Sequence, residues 1–395
     1  VQSGIRPVLL GIHRWLGLAL AAFIILAGIT GATLAFHDQL DAWLNPHLFH
    51  VEARAGRLSP LELRARAEQL VPEARIDHVV LRGGPEDAVM YYLGERTNPA
   101  AGESYPLASD QLFVDPYTGA ELGRRQSSQI GLGREHFMEA VFRLHRYLLL
   151  GDTGSWILVF VAIPWLVSSL IGFYLTLPPR GRRSFSAWQP SWRVQWKAPL
   201  PRFSFDLHRA TGLWLWPLLI IAALGAVRVT LGDTGLLDPL LNTVTTVYSP
   251  DAALEPHVQP IDEPPLSWEE ALPLARRLMA ERAPREGIEV HGEAGLSLDR
   301  EAGLYVYSVR SSADAFDSGE TELYFSAVDG RALDLVHPNR AAGNAISSWL
   351  GALHRARIGG TPYRTLVSLV GLASAALAIT GCIVWYERRR PASRR

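Results

Sequence analysis

The 395-residue chain has one cysteine, Cys382. It therefore cannot form an internal disulfide, and any part of it exported to an oxidising compartment folds without a covalent staple. A Cys-x-x-Cys-His attachment is excluded as well, so any haem is held non-covalently. Also missing are a Gly-x-Gly-x-x-Gly turn after a strand, a Walker A loop and a soluble cysteine cluster, so no nucleotide-binding or iron–sulfur module is expected. Lys plus Arg number 38 against 39 Asp plus Glu, a formal net charge of −1. With that balance and no basic, aromatic-rich surface run, nothing points to nucleic acid as a partner.

Charge is missing locally too. Residues 15–36, 156–177 and 365–386 contain no Asp, Glu, Lys or Arg. Each stretch has 22 residues, against the roughly 20 needed to cross about 30 Å of hydrocarbon. Residues 211–231 form a fourth apolar run with a single charge, Arg228. The mean hydropathy of +0.08 looks ordinary only because these runs average with very polar segments. The expectation is an integral membrane α-helical protein with four transmembrane helices. The first run exceeds the 7–15-residue apolar core of a cleavable signal peptide and reads as a retained signal anchor.

Orientation follows from Lys and Arg beside the spans. The loop between spans two and three holds Arg180, Arg182, Arg183, Arg193, Lys197 and Arg202. Arg388, Arg389, Arg390, Arg394 and Arg395 follow span four, and Arg6 precedes span one. Both termini and this basic loop are thus expected in the cytoplasm, with the two long connections in the periplasm of a bacterial inner membrane. The expected order is an N-terminus and span one over 1–37, a periplasmic unit over 38–143 and span two over 144–178. A basic loop over 179–207, span three over 208–231, a second periplasmic unit over 232–352, span four over 353–386 and a tail over 387–395 complete it.

Both long connections read as small α+β units. Ser59-Pro60-Leu61-Glu62 starts a helix running to about Leu70, and Ser267-Trp268-Glu269-Glu270 starts one running to about Ala280. Strands are expected at 76–82, 89–93 and 112–114, then at 287–291, 304–310 and 322–327. Turns at 116–119 and 329–331 sit at matching positions, so 112–122 and 323–333 look like copies of one hairpin. In the basic loop, Trp188, Trp192 and Trp196 are spaced by four and would share a helix face at headgroup level.

The histidines repeat in the same way. His13-Arg14 opens span one and His208-Arg209 opens span three, each with a glycine four residues on, Gly17 and Gly212. Leu144-His145-Arg146 precedes span two and Leu353-His354-Arg355 precedes span four. Gly172 and Gly381 each lie 27 residues beyond their histidine. The chain therefore reads as a duplication of two spans and two span-end histidines per half. A single histidine near a membrane has ordinary roles in packing or at the interface. Four in a duplicated order instead make two levels, His13 with His208 on the cytoplasmic side and His145 with His354 on the periplasmic side.

Two imidazoles facing one another supply both axial ligands of a b-type haem. Zinc fits less well, since it takes three or four clustered ligands. Arg14, Arg146, Arg209 and Arg355 could neutralise haem propionates or snorkel to headgroups, and Arg228 could serve either way near the outer level. Gly17 and Gly212 would let a porphyrin lie against the helix backbone. Gly28 and Gly31 in span one leave room for close helix packing or a flat cofactor.

With these motifs, the chain resembles the PepSY-associated transmembrane helix family over essentially its whole length. Within that family it is similar to the iron-regulated inner-membrane reductases of ferric siderophores such as ferrioxamine. The resemblance implies two pseudo-symmetric halves with two periplasmic PepSY-like insertions. It also implies haem b, in two copies, electron transfer across the membrane and reduction of ferric siderophore iron. By position it assigns the axial ligands to His13, His208, His145 and His354. His37 and His136 lie on the outer side without a counterpart in the second half, and would replace a ligand or sit near the substrate. Electrons would come from quinol or a cytoplasmic donor, with membrane lipid as surroundings. Two alternatives stay open: a non-enzymatic accessory subunit of siderophore or metal uptake, and a PepSY-type regulatory membrane protein.

Overall fold

A computed structural model describes residues 4–96, 104–178, 184–249, 261–315 and 319–389. Arg180, Arg182, Arg183, Arg390, Arg394 and Arg395 of the basic segments lie outside the described residues. The chain divides into two compact units, Val1–His37 with Val141–Leu240 and Trp349–Arg395, and Asp38–Ala140 with Leu241–Ser348.

The first unit holds four helices long and apolar enough to cross a membrane: Ile5–Leu34, Asp152–Thr176, Trp216–Asp233 and Gly360–Arg389. The first and fourth have 30 residues each, about 45 Å of helix, so each extends past its uncharged run. Their backbones touch where they cross. A Cβ on Gly28 would lie 2.5 Å from the Gly371 carbonyl oxygen, and one on Gly371 would lie 2.6 Å from that of Gly28. Glycine at both positions permits this approach. Arg6 donates to the carbonyls of Leu175 and Leu177 at 2.5 and 3.0 Å, satisfying acceptors at the end of the second span.

The third span differs from the expected 211–231. Residues 200–214 form a separate helix, Leu200–Trp214, which ends at Leu215 before Trp216–Asp233 begins. Pro217 in the first turn explains the break, since it offers no N–H to the turn before it. His208 therefore stands on a helix of its own. His145 and His354 likewise end short helices, Arg134–Tyr147 and Ala342–His354. After them the chain reverses through left-handed residues: Leu148, Leu149 and Gly151 in one case, Ala356, Gly359 and Gly360 in the other. The segments Gly151-Asp152-Thr153-Gly154 and Gly359-Gly360-Thr361 lie at these turns. In the first, Gly154 lies against the Tyr147 carbonyl, leaving no space for a side chain. The expected tryptophan face does not form, because Phe185–Trp188 and the 3-10 turn Gln189–Trp192 replace a continuous helix. Trp188 and Trp192 meet edge-on at 5.0 Å, while Trp196 packs on Phe203 instead.

The second unit contains strands β1 (Ala74–Arg75), β2 (His78–Val80), β3 (Val89–Tyr92), β4 (Gly94–Glu95), β5 (Gln111–Val114) and β6 (Glu121–Arg125). The later connection supplies β7 (Val290–Asp299), β8 (Leu304–Ser311), β9 (Thr321–Ser326) and β10 (Ala332–Val336). Both expected hairpins form, β5 with β6 and β9 with β10. Gly119 and Gly330 close them at φ +73°, a conformation that glycine adopts without steric cost. Both expected helices form as well. Ser59 caps Pro60–Leu70, and Ser267 with Glu270 makes a full capping box on Trp268–Arg282.

The two connections do not fold as separate copies. The five-stranded sheet runs β10-β9-β8-β7-β2, so β2 from the first connection adds to the sheet of the second, His78 opposite Ser297. The strand expected at 287–291 is longer and begins later, which gives β2 its partner. Ion pairs extend the junction, Arg300 with Asp77 and Arg75 with Asp262, both at 2.8 Å. Arg64 lies 4.3 Å over the Trp268 ring, where Trp268 packs in a core with Tyr305, Leu323 and Phe325. Alternation fixes the register there, with Tyr305, Tyr307 and Val309 of β8 all turned inward.

Candidate functional site

The first unit brings the four repeated histidines together in two pairs. The rings of His13 and His208 have centroids 6.1 Å apart at 65°. Those of His145 and His354 are 6.3 Å apart at 33°. On the first span, His13 and the residue beside His145, Gly31, are 18 residues apart, about 27 Å along a helix. The pairs thus sit at opposite ends of that span.

Every one of these rings rests on a glycine of a neighbouring helix. Measured to an added Cβ, Gly172 is 3.1 Å from His13 Cε1, Gly381 is 3.4 Å from His208 Cε1 and Gly31 is 3.0 Å from His145 Cε1. Gly225 is 2.6 Å from His354 Cβ. This accounts for the spacing of 27. The second span begins at Asp152, beyond His145, and delivers Gly172 to the other pair, against His13. Likewise the fourth span starts beyond His354 and delivers Gly381 to His208.

Each ring also meets a main-chain carbonyl just ahead of its glycine. His13 Nδ1 is 3.0 Å from the Ser168 carbonyl oxygen and 2.9 Å from its hydroxyl. His208 Nδ1 is 2.9 Å from the Leu377 carbonyl and 3.3 Å from Thr380 Oγ1. His145 bonds toward the Ala27 carbonyl, with Thr30 Oγ1 2.8 Å from its Nδ1. His354 bonds toward the Ala222 carbonyl. A ring whose Nδ1–H is given to an acceptor presents the lone pair of Nε2 outward.

The arginines divide into three kinds. Arg146 is bound to Asp233 at 2.5 Å, against the Phe142 and Tyr147 rings. Arg209 is bound to Asp206 at 3.0 Å and to the Pro190 carbonyl at 2.8 Å. Asp206 is fully buried and also takes Arg202 at 2.9 Å. Arg228 and Arg355 converge beside His354, where an added Cβ on Gly351 would meet Arg355 Nη2 at 3.2 Å and Arg228 Cζ at 3.4 Å and Arg355 Nε donates to the Gly351 carbonyl at 3.3 Å. Arg14 is exposed. Gly17 has no neighbour within 4 Å of an added Cβ, and Gly212 only Leu377 at 3.8 Å, so neither packs closely on another helix.

His37 meets the Phe142 ring edge-on at 6.4 Å. His136 belongs to the second unit, where it packs on Gly131. Among the described residues no three or more His, Cys, Asp or Glu are placed to hold a metal; the histidines come in twos. Sequence reasoning missed Thr30, Ser168, Thr380 and the acids Asp206 and Asp233. A signal for two of them was present, since Thr30-Gly31 and Thr380-Gly381 repeat one dipeptide.

No curated protein matches the chain. The family described as the PepSY-associated TM region matches residues 10–388, nearly the whole of it, and the protein belongs to that family.

Proposed function

We propose that the protein is a haem-dependent oxidoreductase of a bacterial inner membrane, passing electrons across it to reduce ferric siderophore iron on the periplasmic side. The observation that carries the reading is the spacing of the two imidazole pairs. An imidazole nitrogen lies about 2 Å from a bound transition metal and about 1 Å from its own ring centroid, so two rings on opposite sides of one metal have centroids about 6 Å apart. The pairs stand at 6.1 and 6.3 Å. A haem b at each pair supplies a one-electron carrier whose potential follows from its axial ligands and burial.

The chain's own residues account for binding. The carbonyls of Ser168 and Leu377 hold His13 and His208 by Nδ1, with Nε2 available, and those of Ala27 and Ala222 bond to His145 and His354. The four glycines let the rings lie close to neighbouring helices. Arg228 and Arg355, which converge beside His354, would meet carboxylate groups of a porphyrin there by their position. Arg146 and Arg209 hold Asp233 and Asp206 and serve as braces. The likeness of pair to pair favours a duplication with two pseudo-symmetric halves.

The substrate chemistry asks little of the protein. Hydroxamate-type siderophores hold hard Fe(III) in an all-oxygen shell; one added electron gives Fe(II), which oxygen ligands hold less well. The electron comes from quinol or a cytoplasmic donor, and no acid or base is required at the iron. Absorbance of the purified protein tests the reading. A Soret band with sharp reduced α and β bands is expected, at two haems per chain. His145→Ala and His354→Ala should each disturb the same haem, with the double variant little worse, because one ligand pair acts as a unit. A haem-free protein from haem-competent cells, or full haem in every His→Ala variant, overturns the reading.

A further inference from the structure

Three of the four histidines have a hydroxyl at Nδ1, and two of those hydroxyls also reach a carbonyl of their own helix. Thr30 Oγ1 donates to the Leu26 carbonyl at 2.7 Å, and Thr380 Oγ1 donates to the Ala376 carbonyl at 2.8 Å, each within its own helix. Each threonine hydroxyl has one proton. When it goes to the helix carbonyl, the oxygen accepts from the histidine. Thr30 then faces His145 Nδ1 at 2.8 Å, beside the Ala27 carbonyl. Across the same pair, His354 has the Ala222 carbonyl and no hydroxyl among its described bonds.

We propose that Thr30 and Thr380 are positioning residues that lock His145 and His208 in the Nδ1–H tautomer, and that Thr30 makes the two ligands of the His145–His354 pair unequal. The inference rests on the haem reading above. An acceptor on Nδ1–H makes the imidazole a stronger donor through Nε2. A stronger donor favours Fe(III), the harder acid, over Fe(II). Thr30 thereby lowers the potential at its pair and Thr380 does so at the other. The longer contact of Thr380, 3.3 Å against 2.8 Å, gives it the smaller effect. A threonine bonding back to its own helix is common in membrane spans; the imidazole on its oxygen sets Thr30 apart.

Thr30→Val keeps the shape and removes the oxygen, while Thr30→Ser keeps the oxygen. The test is redox titration of the full-length protein in detergent, following the reduced α band. In Thr30→Val one of two midpoints should rise by an amount equal to about a tenfold change in the Fe(III)/Fe(II) preference, about 59 mV for one electron. Thr30→Ser should return it to the wild-type value. Thr380→Val should raise the other midpoint, by less. Loss of haem in Thr30→Val that Thr30→Ser restores also supports the role. Unchanged midpoints in Thr30→Val, or equal effects of Val and Ser, overturn it. A wild-type protein without haem overturns the parent reading instead, so the two failures are told apart before any variant is made.

Discussion

Replacing Gly225 with alanine puts a methyl carbon 2.6 Å from the Cβ of His354 and 2.9 Å from its Cγ and Nδ1. Real Cβ atoms essentially never come within 3.0 Å of such neighbours. The atom struck is bonded to the His354 backbone, so rotating the ring gives no relief and the two helices must part. Overpacking of this kind costs about 1–3 kcal/mol, while exchanging glycine for alanine inside a helix gains about 1 kcal/mol. A 2.6 Å contact that no rotation relieves falls in the upper part of that overpacking range, about 2–3 kcal/mol, so the net loss is about 1–2 kcal/mol. At Gly381 the balance reverses, because the new methyl meets His208 Cε1 at an ordinary 3.4 Å. Gly31 and Gly172, at 3.0 and 3.1 Å from ring carbons, fall between. Thermal unfolding in detergent should therefore rank Gly381→Ala at or above wild type, then Gly172→Ala and Gly31→Ala, with Gly225→Ala lowest. For a unit of this size the drop in Tm at Gly225 should be about 2–8 °C, at roughly 2–4 °C per kcal/mol. A Gly225→Ala protein that melts with wild type, or a Gly381→Ala protein that melts lowest, would refute the reasoning.

Three other outcomes are expected. In a Cys382→Ser background, Glu301→Cys should react with an impermeant maleimide on intact spheroplasts and Lys197→Cys should not; equal labelling of both would overturn the proposed topology. Asp77→Asn should lower the unfolding free energy of the second unit, read by urea titration, by about 1–2 kcal/mol: it removes the carboxylate that Arg300 holds at 2.8 Å, and the contribution of about 1.5–3 kcal/mol from a charged hydrogen bond is reduced where Asp77 is partly open to solvent. Burial raises the Glu322 carboxyl above the usual carboxylate range, opposed by the Tyr324 hydroxyl and helped by the Asp314 charge. The folded state then binds that proton more tightly than the unfolded chain. Stability is fullest below the ordinary Glu pKa and falls as pH rises toward the folded value. Glu322→Gln should remove that fall, so its advantage over wild type grows across this window and then stays level; parallel urea midpoints at every pH would count against it.

The spans were legible because a membrane imposes a length and a composition on each crossing helix, and both can be read within one window. The histidine pairs were legible because the same His-Arg constellation recurs beside successive spans. Which glycine faces which histidine was not, since 27 residues separate each histidine from a glycine that serves the other pair. The break at Leu215 was missed because the apolar run continues through Pro217, and hydropathy is blind to a missing N–H. The tryptophan face failed for a similar reason, with Pro190 and short caps outweighing an apparent period of four. The sharing of a sheet was also hidden. His78–Val80 carries no mark that its partner is the Gly295–Ser297 stretch rather than β3, because a three-residue strand can pair with any edge that its neighbours leave open.

That shared sheet sets an order on the protein's birth. His78 and Ser297 are separated by about 220 residues, some 10–45 s of synthesis at about 5–20 residues per second. Throughout that interval β2 has left the ribosome without the strand it pairs with, and the face of Arg64 that covers Trp268 has nothing to cover. Two further spans must be threaded before the missing strands arrive on the same side of the bilayer. The first connection is therefore a nascent chain in waiting, open to chaperones and proteases. A ribosome stalled after the second span leaves a fragment with no route to its native sheet, so quality control can recognise an unfinished copy by that orphaned edge.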